Sequence, residues 1–388
     1  MSGQPTITKP AEGPRVVLTG GGSGGHVNPA LSVAEALREL APTSEILYVG
    51  GDRIEARLAP EAGLPFRSIS VHGLAGGAPL ARRLRALIEL AVGLPLFQSL
   101  CILRSFRPQV VVGTGGYVSG PVVLAARLLR VPALALDGNR IPGHTSRLLA
   151  KLVDVMAVAH PEMEAFFVAR VRRGARVAVT GLPVRRDIVE MPRARAAASL
   201  GLDPAQLTLV VFGGSLGSGR INKALVGALD GLAELRPLAG LQVVHVTGER
   251  YVAEGRRGRW SAVKYYPLAY GGPELLAAAD LLVSRAGAST VAEIAARGVA
   301  AVLIPWAQAS TGEQAINAGP LEEAGGAIVI PDGELTAQRL YEVLRALLGD
   351  RERLPKMAAA SRSIGRPEAA RRVAELALAL ASGARRAP

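Results

Sequence analysis

Short apolar strands that run into glycine-rich turns and then into helices recur in both halves of this chain, and that recurrence restricts its fold more than any other feature. In the first half, Arg15 to Thr19 (RVVLT) leads into GGGSGGH, Gly20 to His26, and then into NPALSVAEALREL with apolar residues at helical spacing. Asn28 is placed to cap that helix, with Pro29 at its first position. Glu45 to Gly50 reads as the next strand. Gln109 to Val112 is another and opens into GTGGYVSGP, Gly113 to Pro121; Pro132 to Leu136 precedes DGNRIPGH. The second half repeats the scheme. Leu207 to Phe212 precedes GGSLGSG, Gly213 to Gly219, and a helix near Arg220. Leu241 to Thr247 follows, then Leu281 to Ser284 before RAGAST and the helix VAEIAARG, then Ala301 to Pro305. This alternation predicts an α/β chain of two doubly wound, Rossmann-like domains, each with a parallel sheet.

A length of 388 residues with 49% hydrophobic side chains suits two domains with a core each. The Gly and Pro in TGLPVRRD, Thr180 to Asp187, mark the boundary. The expected division is a flexible lead over 1–14, a first domain over 15–182, a second over 183–365 and a terminal helical segment over 366–388 that packs back on one of the two, expected to be the first. Met1 to Pro14 is polar and lacks the apolar stretch of a signal peptide. The most apolar segment, Ala86 to Leu103, is interrupted by Glu89, Gly93, Pro95, Gln98 and Ser99, so no clean membrane span is expected. One cysteine, Cys101, excludes an intrachain disulfide and fits a cytosolic compartment.

A net charge of +13 calls for anionic partners. Zinc-ligand spacing, an aromatic RNA-binding signature and a long Lys/Arg block are all missing from the sequence, so nucleic acid is not expected among them. The glycine turns point instead to phosphates, because they bring backbone N–H groups to helix N-termini where the peptide dipoles favour negative charge. GGGSGGH also overlaps a dinucleotide fingerprint. That reading needs an acidic residue after the second strand, yet Glu45 stands ahead of that strand and Asp52 follows it by only a short step; no Walker lysine follows a glycine turn either. His72, His144, His160 and His245 show no metal-ligand spacing, so no metal and no cofactor are expected.

In order and spelling, these motifs resemble the MurG family of bacterial glycosyltransferases. The resemblance covers about Arg15 to Leu376 and rests on GGSGGHVNPALSVAEAL (Gly21 to Leu37), GTGGYVSGP, GLPVRRDI (Gly181 to Ile188), GGSLGSGRIN (Gly213 to Asn222), SRAGASTVAEI (Ser284 to Ile294) and EQAINAGPLEEAGGA (Glu313 to Ala327). It implies the two-domain GT-B fold and a metal-free inverting transfer of N-acetylglucosamine from UDP-N-acetylglucosamine to undecaprenyl-pyrophosphoryl-N-acetylmuramoyl-pentapeptide. It further implies peripheral attachment to the cytoplasmic face of the bacterial membrane.

The family's donor site carries over onto Glu293 for the ribose hydroxyls, Ser215 near the phosphate, Arg185 for the nucleotide, and Asn139 and Gln314 for the sugar. Ala288, Ser289, Thr290, Val291 and Ala292 lead into Glu293 and offer N–H groups and hydroxyls at a helix start. Uracil is expected around Leu268 to Tyr270, at Ala269. His26 is either the general base for the acceptor hydroxyl or a hydrogen-bonding partner of a phosphate or loop carbonyl, with Ser23, Gly24 and Gly25 as the floor beside it. Tyr117 and Ser119 are placed on the acceptor side, and Arg186 as a solvated charge. Leu80 to Arg107 mixes Arg82, Arg83, Arg85, Arg104 and Arg107 with Leu84, Leu87, Ile88, Leu94, Leu96 and Phe97. By pattern alone it is either a membrane-docking face or a pair of ordinary amphipathic helices; the resemblance favours an anionic membrane surface.

The chain departs from the family at Asp137-Gly138-Asn139 and at Gly312-Glu313-Gln314, both on the donor-sugar side. The alternatives are a GT-B enzyme acting on another lipid or small-molecule acceptor, a non-catalytic UDP-sugar-binding paralogue, and an NAD-dependent dehydrogenase.

Overall fold

A computed structural model describes residues 13–71, 93–214, 217–234, 240–248, 263–307, 312–350 and 352–384. Two parallel sheets organise it. The first has seven strands in the order β3-β2-β1-β4-β5-β6-β7: β1 (Arg15–Thr19), β2 (Glu45–Gly50), β3 (Phe66–Ser68), β4 (Val110–Gly113), β5 (Ala133–Asp137), β6 (Val155–Val158) and β7 (Arg176–Val179). The second has six, ordered β10-β9-β8-β11-β12-β13: β8 (Thr208–Phe212), β9 (Gln242–Val246), β10 (Lys264–Leu268), β11 (Leu281–Ser284), β12 (Ala300–Leu303) and β13 (Ala327–Val329). The central strands β4, β5, β6, β9, β11 and β12 are buried along their whole length, as in sheets covered by helices on both faces, whereas β3, β7 and β10 at the sheet edges are half-buried or exposed. Strand order reverses beside β1 and beside β8, and ligands of doubly wound sheets bind at such switch points, outside the carboxyl ends of the strands. The expected α/β class with two Rossmann-like domains is what the chain adopts.

Crossover helices complete the layers. In the first half they are α1 (Gly24–Leu40), α2 (Ile54–Glu61), α3 (Leu94–Phe106), α4 (Ser119–Leu128), α5 (His144–Leu149) and α6 (Glu162–Val168). Then come α7 (Arg186–Glu190), α8 (Arg193–Ser199), α9 (Gly219–Ala233), α10 (Glu274–Ala278), α11 (Ala288–Arg297), α12 (Glu313–Glu323), α13 (Ala337–Leu348), α14 (Arg353–Ser363) and α15 (Ala369–Ala384). One expectation about α1 is overturned. Asn28 does not cap it: the helix begins a turn earlier, because the Ser23 carbonyl already accepts the N–H groups of His26 (3.1 Å) and Val27 (3.2 Å). Ser23 is the extended N-cap residue, and Pro29 lies inside the helix.

The last helix returns to the first domain. Ala370, Val373, Ala374, Ala377 and Ala381 of α15 share one core with Val16, Leu18, Val27, Val33 and Leu37. Small residues on that face let α15 lie close along α1. The chain crosses between the domains twice, and the crossings touch: a Cβ on Gly181, whose φ is +86°, would lie 2.8 Å from Cβ of Arg366. Such closeness needs glycine.

Candidate functional site at the facing glycine turns

The first-domain side is built around His26. Its Nδ1 lies 3.3 Å from the Thr114 carbonyl oxygen, and the Thr114 hydroxyl donates to the His26 carbonyl at 2.6 Å. Donation by Nδ1–H to that carbonyl leaves Nε2 as the acceptor of the neutral ring. Burial pushes the His26 pKa below its ordinary value, opposed by the bond to Thr114 and the carboxylates of Glu313 and Glu55. The turn after β4 gives the ring its space. Gly115 and Gly116 have φ of +102° and +76°, and a Cβ on either would meet the imidazole, at 2.8 Å and 3.2 Å respectively. Ser23 and Gly25 are exposed at the start of α1, with Gly24 half-buried between them. Tyr117 covers Gly22, where a Cβ would lie 2.8 Å from its ring. Ser119 does not face the acceptor side: it is fully buried and donates to the Gly116 carbonyl at 2.9 Å, so it braces the turn.

The second-domain side is the start of α11. Gly287 is its extended N-cap residue, and the N–H groups of its first turn lack intrahelical partners. Ser289 Oγ is shut away from solvent, yet has no hydrogen-bond partner among the described residues. A buried hydroxyl without a partner costs stability unless a ligand supplies one. Val291 faces the core, whereas Ala288 and Ala292 pack against the core of the first domain. Two turns of sequence thus close the gap between domains: a Cβ on Gly25 would stand 3.8 Å from Ser289 Oγ.

Glu293 follows on α11. Burial raises its pKa to about 7, with Arg185 pulling it down and Asp187 pushing it up. Arg185 precedes α7 and pairs with Asp187 at 3.2 Å. Gln314, in the first turn of α12, accepts the Trp306 N–H through Oε1 at 3.0 Å. Asn139 sits in the turn after β5, where its N–H donates to Asp137 Oδ1 at 2.9 Å. Ala269 directly follows β10 and is half-buried. Arg186 is exposed, but it reaches Glu39 of α1 as well as Glu190, so it ties the two domains. Ser215 and His72 lie outside the described residues, as do Arg82, Leu84 and their neighbours up to 92. Among the described residues no group of His, Cys, Asp and Glu is arranged to hold a metal ion.

Two residues escaped the sequence reading. Glu55 of α2 is fully buried and accepts the N–H groups of Gly22 and Gly51, both at 3.1 Å. Arg285, inside the SRAGAST motif, pairs with buried Asp332 at 2.6 Å and donates to Ser218 Oγ at 3.1 Å. It therefore links three turns of the second domain, including the one that starts α9. A charged residue inside a glycine motif was the available signal for Arg285.

Comparison with known proteins places these turns in a family. The glycosyltransferase family 28 N-terminal domain matches residues 16–158, and the family 28 C-terminal domain matches 208–374. The chain is 42% identical over 374 residues to the UDP-N-acetylglucosamine--N-acetylmuramyl-(pentapeptide) pyrophosphoryl-undecaprenol N-acetylglucosamine transferase of Moorella thermoacetica, covering 94% of this chain and 98% of that protein. The enzyme of the same name from Symbiobacterium thermophilum is 40% identical, over 96% of this chain and 98% of the relative. The crystal structure of Acinetobacter baumannii MurG superposes with a TM-score of 0.70 at 27% identity, covering 94% of this chain and 99% of that one. A glycosyltransferase of kitacinnamycin superposes with a TM-score of 0.67; at 17% identity that likeness concerns the fold alone.

Proposed function

Because this chain belongs to the MurG family of glycosyltransferases, we propose that it transfers N-acetylglucosamine from UDP-N-acetylglucosamine to the muramoyl sugar of undecaprenyl-pyrophosphoryl-N-acetylmuramoyl-pentapeptide. The product is the lipid-linked disaccharide used in peptidoglycan synthesis. One observation above all supports a reaction at this cleft: the turn that carries His26 and the turn that carries Ser289 and Glu293 meet, each bringing groups suited to one substrate.

The donor lies on the second domain in this reading. Glu293 accepts from the ribose hydroxyls, Arg185 offsets its charge, and Ala269 borders the uracil. The first-turn amides of α11 and the Ser289 hydroxyl receive the diphosphate; Ser215 joins them. Gln314 and Asn139 meet the sugar. The acceptor hydroxyl oxygen attacks the anomeric carbon from the face opposite the diphosphate, with inversion. The bond from that carbon to the phosphate oxygen breaks, and UDP leaves with its electron pair. His26 Nε2 takes the hydroxyl proton as general base. Charge growing on UDP is met by fixed amide dipoles, which need no reorganisation and no metal.

Attachment to the cytoplasmic leaflet is the remaining part of the reading. No helix among the described residues is long and apolar enough to cross a membrane. Leu94, Phe97 and Cys101 lie exposed along one face of α3, with Arg104 and Arg107 at its end. An apolar stripe beside cations suits an anionic surface.

The acceptor is tested by following UDP release with the undecaprenyl-linked muramoyl-pentapeptide and with diacylglycerol. Release that depends on the muramoyl lipid supports the reading, and release with diacylglycerol alone replaces it.

A further inference from the structure

The turn after β1 already serves an anion of the protein's own. Both carboxylate oxygens of buried Glu55 are used: one accepts from Gly22 and the other from Gly51, each at 3.1 Å. The surrounding glycines make room for this group. A Cβ on Gly21 would lie 2.5 Å from Glu55 Oε1, one on Gly51 2.9 Å from the same oxygen, and one on Gly50 2.8 Å from Glu55 Cγ. The glycines that read as a phosphate cradle are therefore needed, in part, for an internal carboxylate. The Gly22 amide is not open to a phosphate, and the fixed charge of a carboxylate beneath the turn repels one.

An acceptor of the class proposed above carries a diphosphate, whose charge must be met at the outer side of this turn. Of the described residues in the turns that follow β1, β2 and β4, Arg53 is the one Arg or Lys. It is exposed, and its positive charge lies beside the Tyr117 hydroxyl, where burial raises the pKa and that charge, the smaller effect, pulls it down. Tyr117 in turn covers Gly22. Arg140, in the turn after β5, is engaged with Glu162. A guanidinium suits the task, because its planar N–H groups bind phosphate oxygens in pairs.

Resting on that functional reading, we propose that Arg53 binds the diphosphate of the lipid-linked acceptor, with Tyr117 holding the guanidinium at the rim of the turn and Glu55 excluding the phosphates from its inner side. Arg53 is then a substrate-binding residue, and Tyr117 and Glu55 are positioning residues.

The test is steady-state kinetics of wild type, Arg53→Lys and Arg53→Ala. Two acceptors are used: the diphosphate-linked muramoyl lipid, and an analogue with a neutral linker of equal length in place of the diphosphate. Arg53→Ala is expected to raise KM for the diphosphate acceptor ~10- to 100-fold, the usual range for losing a charged hydrogen-bond partner. It should leave the donor KM, the melting temperature and the KM for the neutral analogue unchanged. Arg53→Lys, which keeps the charge, should fall between. An unchanged KM for the diphosphate acceptor, or an equal rise for both acceptors, would overturn the assignment; the equal rise would leave Arg53 as a brace for Tyr117. A wild type that transfers to neither acceptor defeats the functional reading itself, and the assignment with it.

Discussion

Gly115 and His26 fit together only because position 115 has no side chain: a Cβ there would stand 2.8 Å from Nδ1 of the imidazole, at a φ of +102°. Gly115→Ala is expected to displace the ring from the Thr114 carbonyl and to lower kcat ~100-fold, within the range that general bases contribute. Donor affinity should not change. Since burial depresses the His26 pKa, the ring is neutral at pH 7. In wild type, kcat with both substrates saturating should stay level through neutral pH and fall only below the ordinary histidine range. A full kcat in Gly115→Ala, measured beside donor titration calorimetry, would remove His26 from the chemistry.

Glu293 is expected to couple donor binding to protons. Its pKa is raised to about 7, with Arg185 and Asp187 as its charged neighbours. Ribose hydroxyls donate to the ionised carboxylate, so binding should release a proton near neutrality and tighten as pH rises from 6 to 8. Glu293→Gln should weaken donor binding and flatten that dependence. The same shift carries a cost to the free protein. The unfolded chain loses this proton near 4.5 and the folded chain near 7, so the destabilisation grows between those values and is complete above them. Glu293→Gln should therefore raise the melting temperature at pH 8 and leave it unchanged at pH 4. Calorimetry in two buffers of different ionisation enthalpy, with melting curves, checks both.

Eight of the thirteen described strands were legible in the sequence; β3, β6, β7, β10 and β13 were not. Glu45–Gly50 and Leu281–Ser284 match their expected bounds, because an apolar run of that length bounded by glycine or a polar turn leaves little choice. The start of α1 was not legible. Asn28-Pro29 has the chemistry of a helix start, but the Ser23 carbonyl captures two N–H groups upstream of it. Glu55 was hidden for another reason. IEARLAPE is a charged, surface-like sequence, and only the fold shows that one of its glutamates is buried beneath a glycine turn. Arg285 finds Asp332 across 47 residues, a pairing no local pattern announces. The terminal helix could have covered either domain until its alanine face met α1.

Asp332 holds a buried cation, and removing it should be costly. Its side chain is 7% exposed and that of Arg285 is 11% exposed. Asp332→Ala would leave the guanidinium without its carboxylate, an uncompensated charge that typically costs ~3–5 kcal/mol. Chemical denaturation should show the loss, and donor KM should rise because Arg285, which donates to Ser218 at the start of α9, loses the carboxylate that anchors it. Stability equal to wild type would contradict this account of the network.

Phe97 is 63% exposed on α3, beside Leu94. Phe97→Asp should weaken sedimentation with vesicles of anionic phospholipid and leave the melting temperature unchanged, since the ring packs on little. UDP-N-acetylglucosamine binding should not change. Vesicle binding equal to wild type would remove α3 from the docking face.

The most direct test of the central reading is transfer of label to lipid, with UDP-N-acetylglucosamine and UDP-glucose offered in parallel to the undecaprenyl-linked muramoyl-pentapeptide. The account predicts label in the lipid from the N-acetylglucosamine donor alone, and its loss in His26→Ala. Absence of transfer by wild type, with UDP-N-acetylglucosamine still bound, would contradict it.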